Sequence, residues 1–562
     1  MKKIMILSLT FLALGTVTYG QDLEQAKKAI DGEQYEKAKT ILKSLVASKA
    51  DEGKNYFFLG NVYLTLNQAD SANAVFQKGI AVKNNANFNY IGLGQLDLDK
   101  DNKTGAQTNF ATATKDLRKK DFEEYLYVGR AYMNSKKPDY KNALVSLNKA
   151  KSVQPQDAQV LLALGDAYYG DNNNNEAYSN YRSALTADSS ILRAKIQMGV
   201  ITKRAKAFPE AVKAFEDVLA TNPNYGPAYR ELAETYYFWA NNAKDEASYN
   251  ANIKKALGYY EKYMTLTDYS LDSRMRHADF LILTKEYKAL EDEANKMKQI
   301  DNVNPRILRY LGYAAYENNN ADGSVKALQD FITKSPADRV IGRDYLYLGL
   351  AKLKQAVKDS DTIVSNKEIF ASAIADMKKG VEVDPAMSEE ISPIALKLFK
   401  QKLYGPAAEM YQVAVLNTKS QNFLYDNFYL GYALYFEYAS QDKPEEALLH
   451  KADIAFGNVI TASPTTQDAH LYRARVNRLL EAEAAQLLMV THYEEYIKLV
   501  TEKGEAETSK AAIKANLVEA YSTIGAFYVS KDKAKAIQNF EKALLINPAD
   551  EASVKAIKSL RK

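Results

Sequence analysis

What most constrains this chain is a spacing that recurs along nearly its whole length: an aliphatic residue followed by glycine, with an aromatic three positions after the glycine. Leu59-Gly60 with Tyr63, Val128-Gly129 with Tyr132, Leu164-Gly165 with Tyr168 and Ile524-Gly525 with Tyr528 show it whole. Twelve residues after the glycine comes Ala, then an aromatic four further on, a small residue three beyond that, and often Pro five later. Gly165, Ala177, Tyr181 and Ala184 form one instance; Gly199, Ala211, Phe215 and Pro223 form another.

Offsets of three and four place these residues on one face of a helix, so each period reads as two antiparallel helices. Pro closes the second helix, because it has no N–H to donate and disfavours a helical residue before it. Gly inside a helix costs ~1 kcal/mol relative to Ala, so its recurrence needs a packing reason, and close approach of the neighbouring helix supplies one. A chain of 562 residues is too long for a single compact core, and an array that grows by stacking resolves this. Only 25 Gly and 13 Pro are present, which suits long helices joined by short turns.

The segments YFFLGNVYLTLNQADSANAVFQKGI, VLLALGDAYYGDNNNNEAYSNYRSAL and YSTIGAFYVSKDKAKAIQNFEKALLINP resemble tetratricopeptide repeats. The resemblance implies an all-α solenoid, a right-handed superhelix of antiparallel helix pairs. Roughly fourteen units fit between residues 22 and 548. Those starting near Gln21, Ser270 and Gln467 are degenerate. The expected organisation is a leader over 1–20, an N-terminal array over 21–269, a degenerate unit and candidate hinge over 270–304, a C-terminal array over 305–548, and a capping helix over 549–562 that covers the last apolar face. Extra residues enter at the inter-helix turn around Ala240 to Asn252, Gln355 to Glu368 and Glu437 to Leu449. Each amounts to about three turns of helix, and the spacing predicts that they are shared between both helices of the hairpin.

Lys2 and Lys3, the apolar stretch from Ile4 to Leu14, and Thr18-Tyr19-Gly20 read as a secretory leader cleaved before Gln21. Cleavage predicts an exported, periplasmic or otherwise extracytoplasmic protein. Mass spectrometry of that protein should find Gln21 first; an intact Met1 removes the compartment assignment. No later apolar run reaches the ~18 to 20 residues of a membrane-spanning helix. With no cysteine, the chain has no disulfide, thiolate zinc site, cysteine nucleophile or lipid-modified cysteine. A formal charge of +4 without a basic tract gives no footprint for nucleic acid.

Constellations that could carry chemistry are few. Asp97, Asp99 and Asp101 start like a calcium loop, but Asn102 stands where the sharp turn needs Gly and Thr108 where the closing Glu belongs. The four histidines, at 277, 450, 470 and 492, show no metal-ligand spacing, so a two-histidine site would need distant helices to converge. Ile91 to Gly94 holds half of a dinucleotide fingerprint without its strand or third Gly. No phosphate-cradling loop or nucleophile elbow occurs. The expectation is a non-enzyme without cofactor or metal.

Forty tyrosines exceed what the repeat positions account for. In LYDNFYLGYALYF, Leu430, Gly431 and Leu434 satisfy the repeat, while Tyr425, Phe428, Tyr429, Tyr432, Tyr435 and Phe436 form a second aromatic face at offsets of three and four. In RYLGYAAYE, Arg309, Tyr310, Tyr313 and Tyr316 lie opposite Leu311 and Gly312, and Arg343 and Tyr347 repeat the arrangement in the next unit. The resemblance implies that this second face lines a concave groove where partner proteins bind; the alternative is packing of first helix against first helix. Tyr suits a partner surface because a rigid apolar ring carries a hydroxyl that stays hydrogen-bonded, and Arg beside Tyr is common at interfaces. The Lys and Asn set of peptide-terminus clamps is absent. The leading expectation is a scaffold or adaptor for other envelope proteins, set against a glycan binder with aromatic platforms and a structural spacer. Only Trp239 is available for sugar stacking, which weighs against the glycan reading. If the groove reading holds, the rings of Tyr310, Tyr313, Tyr429 and Tyr432 stay partly exposed in the free protein.

Overall fold

The computed structural model describes residues 22–357 and 364–562. Among these residues there are thirty α-helices, two short 3-10 turns and no strand beyond one isolated bridge between Glu52 and Asn84. The chain divides into two compact units at Glu286/Tyr287, and the cut falls inside the degenerate segment 270–304.

The first unit holds seven helical hairpins, from Leu23–Asp31 with Tyr35–Ser48 to Gly226–Ala240 with Glu246–Leu266, followed by the helix Leu271–Leu283. The second begins with the helix Tyr287–Ile300 and continues through six hairpins, from Pro305–Glu317 with Ala321–Lys334 to Ala511–Tyr528 with Lys533–Ile546. The last helix, Glu551–Leu560, stands where the capping helix is expected. Thus the helix-pair reading holds, with the two helices of the degenerate unit on either side of the division.

Local chemistry sets the helix ends. Asp139, Asp157 and Asn173 each accept a hydrogen bond from the backbone N–H three residues on, satisfying a donor that the first turn leaves free. Many first helices end on a residue in the left-handed region, such as Asn67, Asp101, Asn172 and Asn319, which accounts for the asparagine-rich turns. Glu33, Lys206, Lys285 and Lys402 occupy the same place at greater conformational cost. The predicted insertions lengthen the helices themselves. Glu246–Leu266 has 21 residues, Phe423–Ser440 18 and Glu446–Ala462 17, where Asn174–Ala187 has 14. Part of the insertion around Gln355 to Glu368 lies outside the described residues.

The recurring glycine is explained at Gly60. A Cβ there would lie 2.1 Å from the Phe76 ring, and one on Gly92 of the next hairpin 2.3 Å from the same ring. Phe76 therefore sits between two first helices, fully buried, and only glycine lets them close on it.

Candidate partner-binding site

The second aromatic face of the C-terminal unit falls into two parts with different environments. In the first part, the helix Pro305–Glu317 lies beside Gly342–Ala356. Asp344, fully buried, receives two hydrogen bonds of 2.8 Å from the Arg309 guanidinium and one of 2.7 Å from the Tyr313 hydroxyl. Its other oxygen accepts from the Ile341 N–H at 2.8 Å, so the same carboxylate caps its own helix. Tyr313 stacks on Tyr347 with 4.3 Å between centroids, and the Tyr347 hydroxyl donates to Glu317 at 2.8 Å. Tyr316 meets the edge of Tyr347 at 5.3 Å.

This arrangement corrects the expected exposure at Tyr310 and Tyr313, and Tyr347 of the same stripe is buried with them. Tyr310 is 1% exposed, Tyr313 2% and Tyr347 7%. At Tyr313 the physical reason is Asp344: a buried carboxylate needs a cation and donors, so it draws Arg309 and Tyr313 into the seam between successive repeats, and Tyr347 stacks on Tyr313. Burial and the neighbouring carboxylate push the Tyr313 hydroxyl well above its usual range, which keeps it a donor. Arg343 lies further out, in a 2.7 Å ion pair with Glu390 in which both side chains are 42% exposed.

The second part is open at its rim. Tyr425 is 40% exposed and packs on Tyr429 at 4.5 Å. Tyr429 meets the edge of Phe399 at 5.3 Å; Tyr432 lies between Phe428 at 4.4 Å and Tyr472 at 4.3 Å; Tyr435 reaches Tyr472 at 5.6 Å. Phe436 stacks on Tyr404 at 5.3 Å. These rings join the helices Ser388–Lys400, Tyr404–Ala414, Phe423–Ser440 and Gln467–Arg478 into one half-buried aromatic surface. Arg475 covers the Tyr472 ring at 4.8 Å while bound to Glu519 at 2.6 Å. Burial raises the hydroxyls of Tyr432 and Tyr435, and with Tyr429 it pushes Tyr425 up to about 12, so all three remain neutral donors. Phe399, Tyr404 and Tyr472 escaped the sequence reading because none belongs to a run of aromatics at helical spacing in its own helix.

The N-terminal unit holds a feature that the sequence reading did not place. A cavity of about 1420 Å³ lies inside it, walled by residues including Phe57, Tyr127, Arg130, Arg193, Lys203 and Arg230. Its lining comes from the first hairpin through the seventh, side chains up to about 200 positions apart in sequence, so no local pattern announces it.

The aspartates of the calcium-like segment are engaged by the repeat itself. Asp97 accepts from Asn102 and Asn109, Asp99 from the Lys136 N–H, and Asp101 pairs with Lys137. Among the described residues no three potential ligands converge on a metal position.

The family described as Tetratricopeptide repeat matches residues 53–85, the hairpin built around Gly60 and Phe76. The same hairpin geometry recurs along both units. Residues 53–85 form a tetratricopeptide repeat, and the fold is a solenoid of such helix pairs. Among solved structures, it is similar to the C-terminal part of a TPR repeat-containing protein from Cytophaga hutchinsonii, with 22% identity, 50% of this chain and 99% of that one covered, and a TM-score of 0.28. PilF of Pseudomonas aeruginosa gives 20% identity, 38% and 90% coverage and 0.31. PilW, a type IV pilus biogenesis factor, gives 17%, 45% and 94%, and 0.28. At these TM-scores none of them bears on function. No curated protein matches the chain.

Two buried ionisable groups in the C-terminal repeats give this protein opposing pH responses. Asp426 is fully buried beneath the aromatic surface, accepting from the Ser392 hydroxyl, with its second oxygen unbonded. Unlike Asp344, it has no arginine, and burial pushes its carboxyl up to about 6. The folded chain then holds a proton that the unfolded chain has released above about pH 4. That stabilisation is full below the ordinary carboxylate range and is lost as pH rises through 6.

His492 works the other way. Its Nδ1 lies 3.1 Å from Nδ1 of His470, whose Nε2 is 2.8 Å from the Pro464 carbonyl. A carbonyl only accepts, so His470 carries its proton on Nε2 and His492 donates from Nδ1. Burial, with Arg473 and His470 adding to it, pulls His492 down to about 4. Its contribution is present above the ordinary histidine value of about 6.5 and is lost as pH falls toward 4. The two contributions offset each other between about pH 4 and 6.5, the window over which unfolding midpoints are compared. Asp426→Asn should expose the histidine slope, with stability rising with pH. His492→Asn should expose the carboxylate slope, with stability falling as pH rises.

Proposed function

We propose that this protein is a non-catalytic interaction scaffold, and that a segment of a partner protein docks on the aromatic surface around Tyr425, Tyr429, Tyr432 and Tyr435. Tetratricopeptide-repeat proteins mediate protein–protein interaction as a class, and the observation that carries the present reading is the open rim of that surface. There the half-buried rings continue through Tyr429 into the exposed Tyr425. A partner's apolar side chains would complete the burial of rings that already have rigid positions, at small entropic cost. Arg309, Tyr310, Tyr313, Tyr316, Arg343 and Tyr347 then act as the support that fixes two neighbouring repeats, with Arg343 nearest the surface.

The leader-like residues Lys2, Lys3 and Ile4 to Leu14 place the scaffold outside the cytoplasm in this reading, among proteins of the envelope; residues 1–21 lie outside the described residues. A glycan would need flat ring faces, and two observations count against it. Trp239 is stacked between Phe208 and Tyr236, and the rings around Tyr432 meet mostly edge to face. A spacer would not need the open rim.

Photo-crosslinking in intact cells tests the proposal. A photoreactive residue at Tyr425 should give a discrete adduct with another protein, whereas one at Ile454, which is 63% exposed on a second helix, should not. Equal adducts at both positions, or none at Tyr425, would refute it.

A further inference from the structure

We propose that the first hairpin is an electrostatic latch that closes the N-terminal unit around its cavity and governs entry to it. In a repeat array each unit ordinarily touches its sequence neighbours. Here the hairpin Leu23–Asp31 with Tyr35–Ser48 reaches the seventh hairpin of the same unit, some 200 residues away. The Tyr225 hydroxyl donates to Asp31 at 2.9 Å; Arg230 and the Tyr263 hydroxyl donate to Glu33 at 3.1 and 2.8 Å. The backbones come close as well, since a Cβ on Gly226 would lie 3.5 Å from the Gly32 carbonyl oxygen.

Two further bonds are reciprocal helix caps. Gln34, the residue before the helix Tyr35–Ser48, makes no side-chain cap to its own helix. Asp268 supplies one instead, accepting from the Glu36 N–H at 2.6 Å, while the Gln34 amide donates to the Leu266 carbonyl at the end of Glu246–Leu266 at 3.0 Å. Each helix thus satisfies a free terminal group of the other, and a carboxylate stands at the positive end of a helix dipole. So specific an exchange marks a built seam.

The seam is held chiefly by polar contacts. Among the described residues, the buried apolar cluster that contains Ala26, Ala29 and Leu42 runs to Ala131 and includes no residue of the seventh hairpin. What holds the seam is hydrogen bonds and one part-exposed ion pair, Arg230 with Glu33, which high salt weakens. Asp31, Glu33, Tyr35, Tyr225 and Arg230 belong to the cavity wall, so separating the seam opens the cavity from the side.

The test uses the full chain, whose lack of cysteine makes labelling specific. Spin labels on Lys37→Cys and Thr265→Cys report the seam distance, and a bulky maleimide on Gln197→Cys, in the cavity wall, reports entry. At low salt the distance should be short and narrow. In the Glu33→Gln/Asp268→Asn background, and at ~1 M salt, a longer population should appear and Gln197→Cys should react roughly fivefold faster, with helix content unchanged. A short distance that persists under all conditions, or is absent at low salt, would overturn the latch. Unchanged labelling would overturn its control of entry. Loss of helix in the variant would show that the seam holds the fold rather than gating the cavity.

Discussion

Truncating Phe76 to alanine is expected to cost ~3–5 kcal/mol of stability, with the damage confined to the neighbouring repeats. The ring is fully buried and lies within 2.1 and 2.3 Å of where Gly60 and Gly92 would carry a Cβ. Two glycines have no side chain with which to fill the space, so the cavity stays open and its full cost is felt. Hydrogen exchange should accelerate between residues 53 and 113 and remain unchanged between 423 and 462. A uniform acceleration would mean that stability is shared globally rather than passed between neighbours. Phe540, 3% exposed and packed on Gly525, is a comparable core ring near the other end of the chain.

The second large effect separates support from surface. Arg309→Ala should destabilise the C-terminal unit by ~3–5 kcal/mol, because Asp344 is fully buried and would lose its cation. Tyr425→Ala removes a ring that is 40% exposed and should cost less than ~1 kcal/mol of stability. Its effect should appear in partner capture instead, weakened by ~2 kcal/mol or more if the ring is a docking anchor. Thermal unfolding of both variants checks the first half of this contrast.

The helix pairs and the core positions of the repeat were legible in the sequence, since periodicity and glycine placement are local signals that nearest-neighbour packing preserves. The split within the aromatic stripe was not legible. Tyr313 and Tyr432 hold equivalent positions after their glycines, yet one is buried against Asp344 and the other half-buried among rings. What separates them is a carboxylate 31 residues further along the chain, a contact no helical spacing encodes. The same holds for the His470–His492 pair, which converges across one lengthened hairpin, and for the seam of Glu33 with Arg230 and Tyr263. These contacts depend on how helices are set in space, and only the assembled repeats bring them together.

The central claim is that the exposed rim of the C-terminal aromatic surface is for binding and the buried part for packing. The most direct measurement takes Tyr425→Ala, Tyr429→Ala and Tyr313→Ala through thermal unfolding and through capture of the protein crosslinked at Tyr425, all on the same preparations. The account predicts near-native unfolding with lost capture for Tyr425→Ala, a smaller stability loss with lost capture for Tyr429→Ala, and marked destabilisation for Tyr313→Ala. Native capture by the first two variants, or destabilisation of Tyr425→Ala as large as that of Tyr313→Ala, would contradict it.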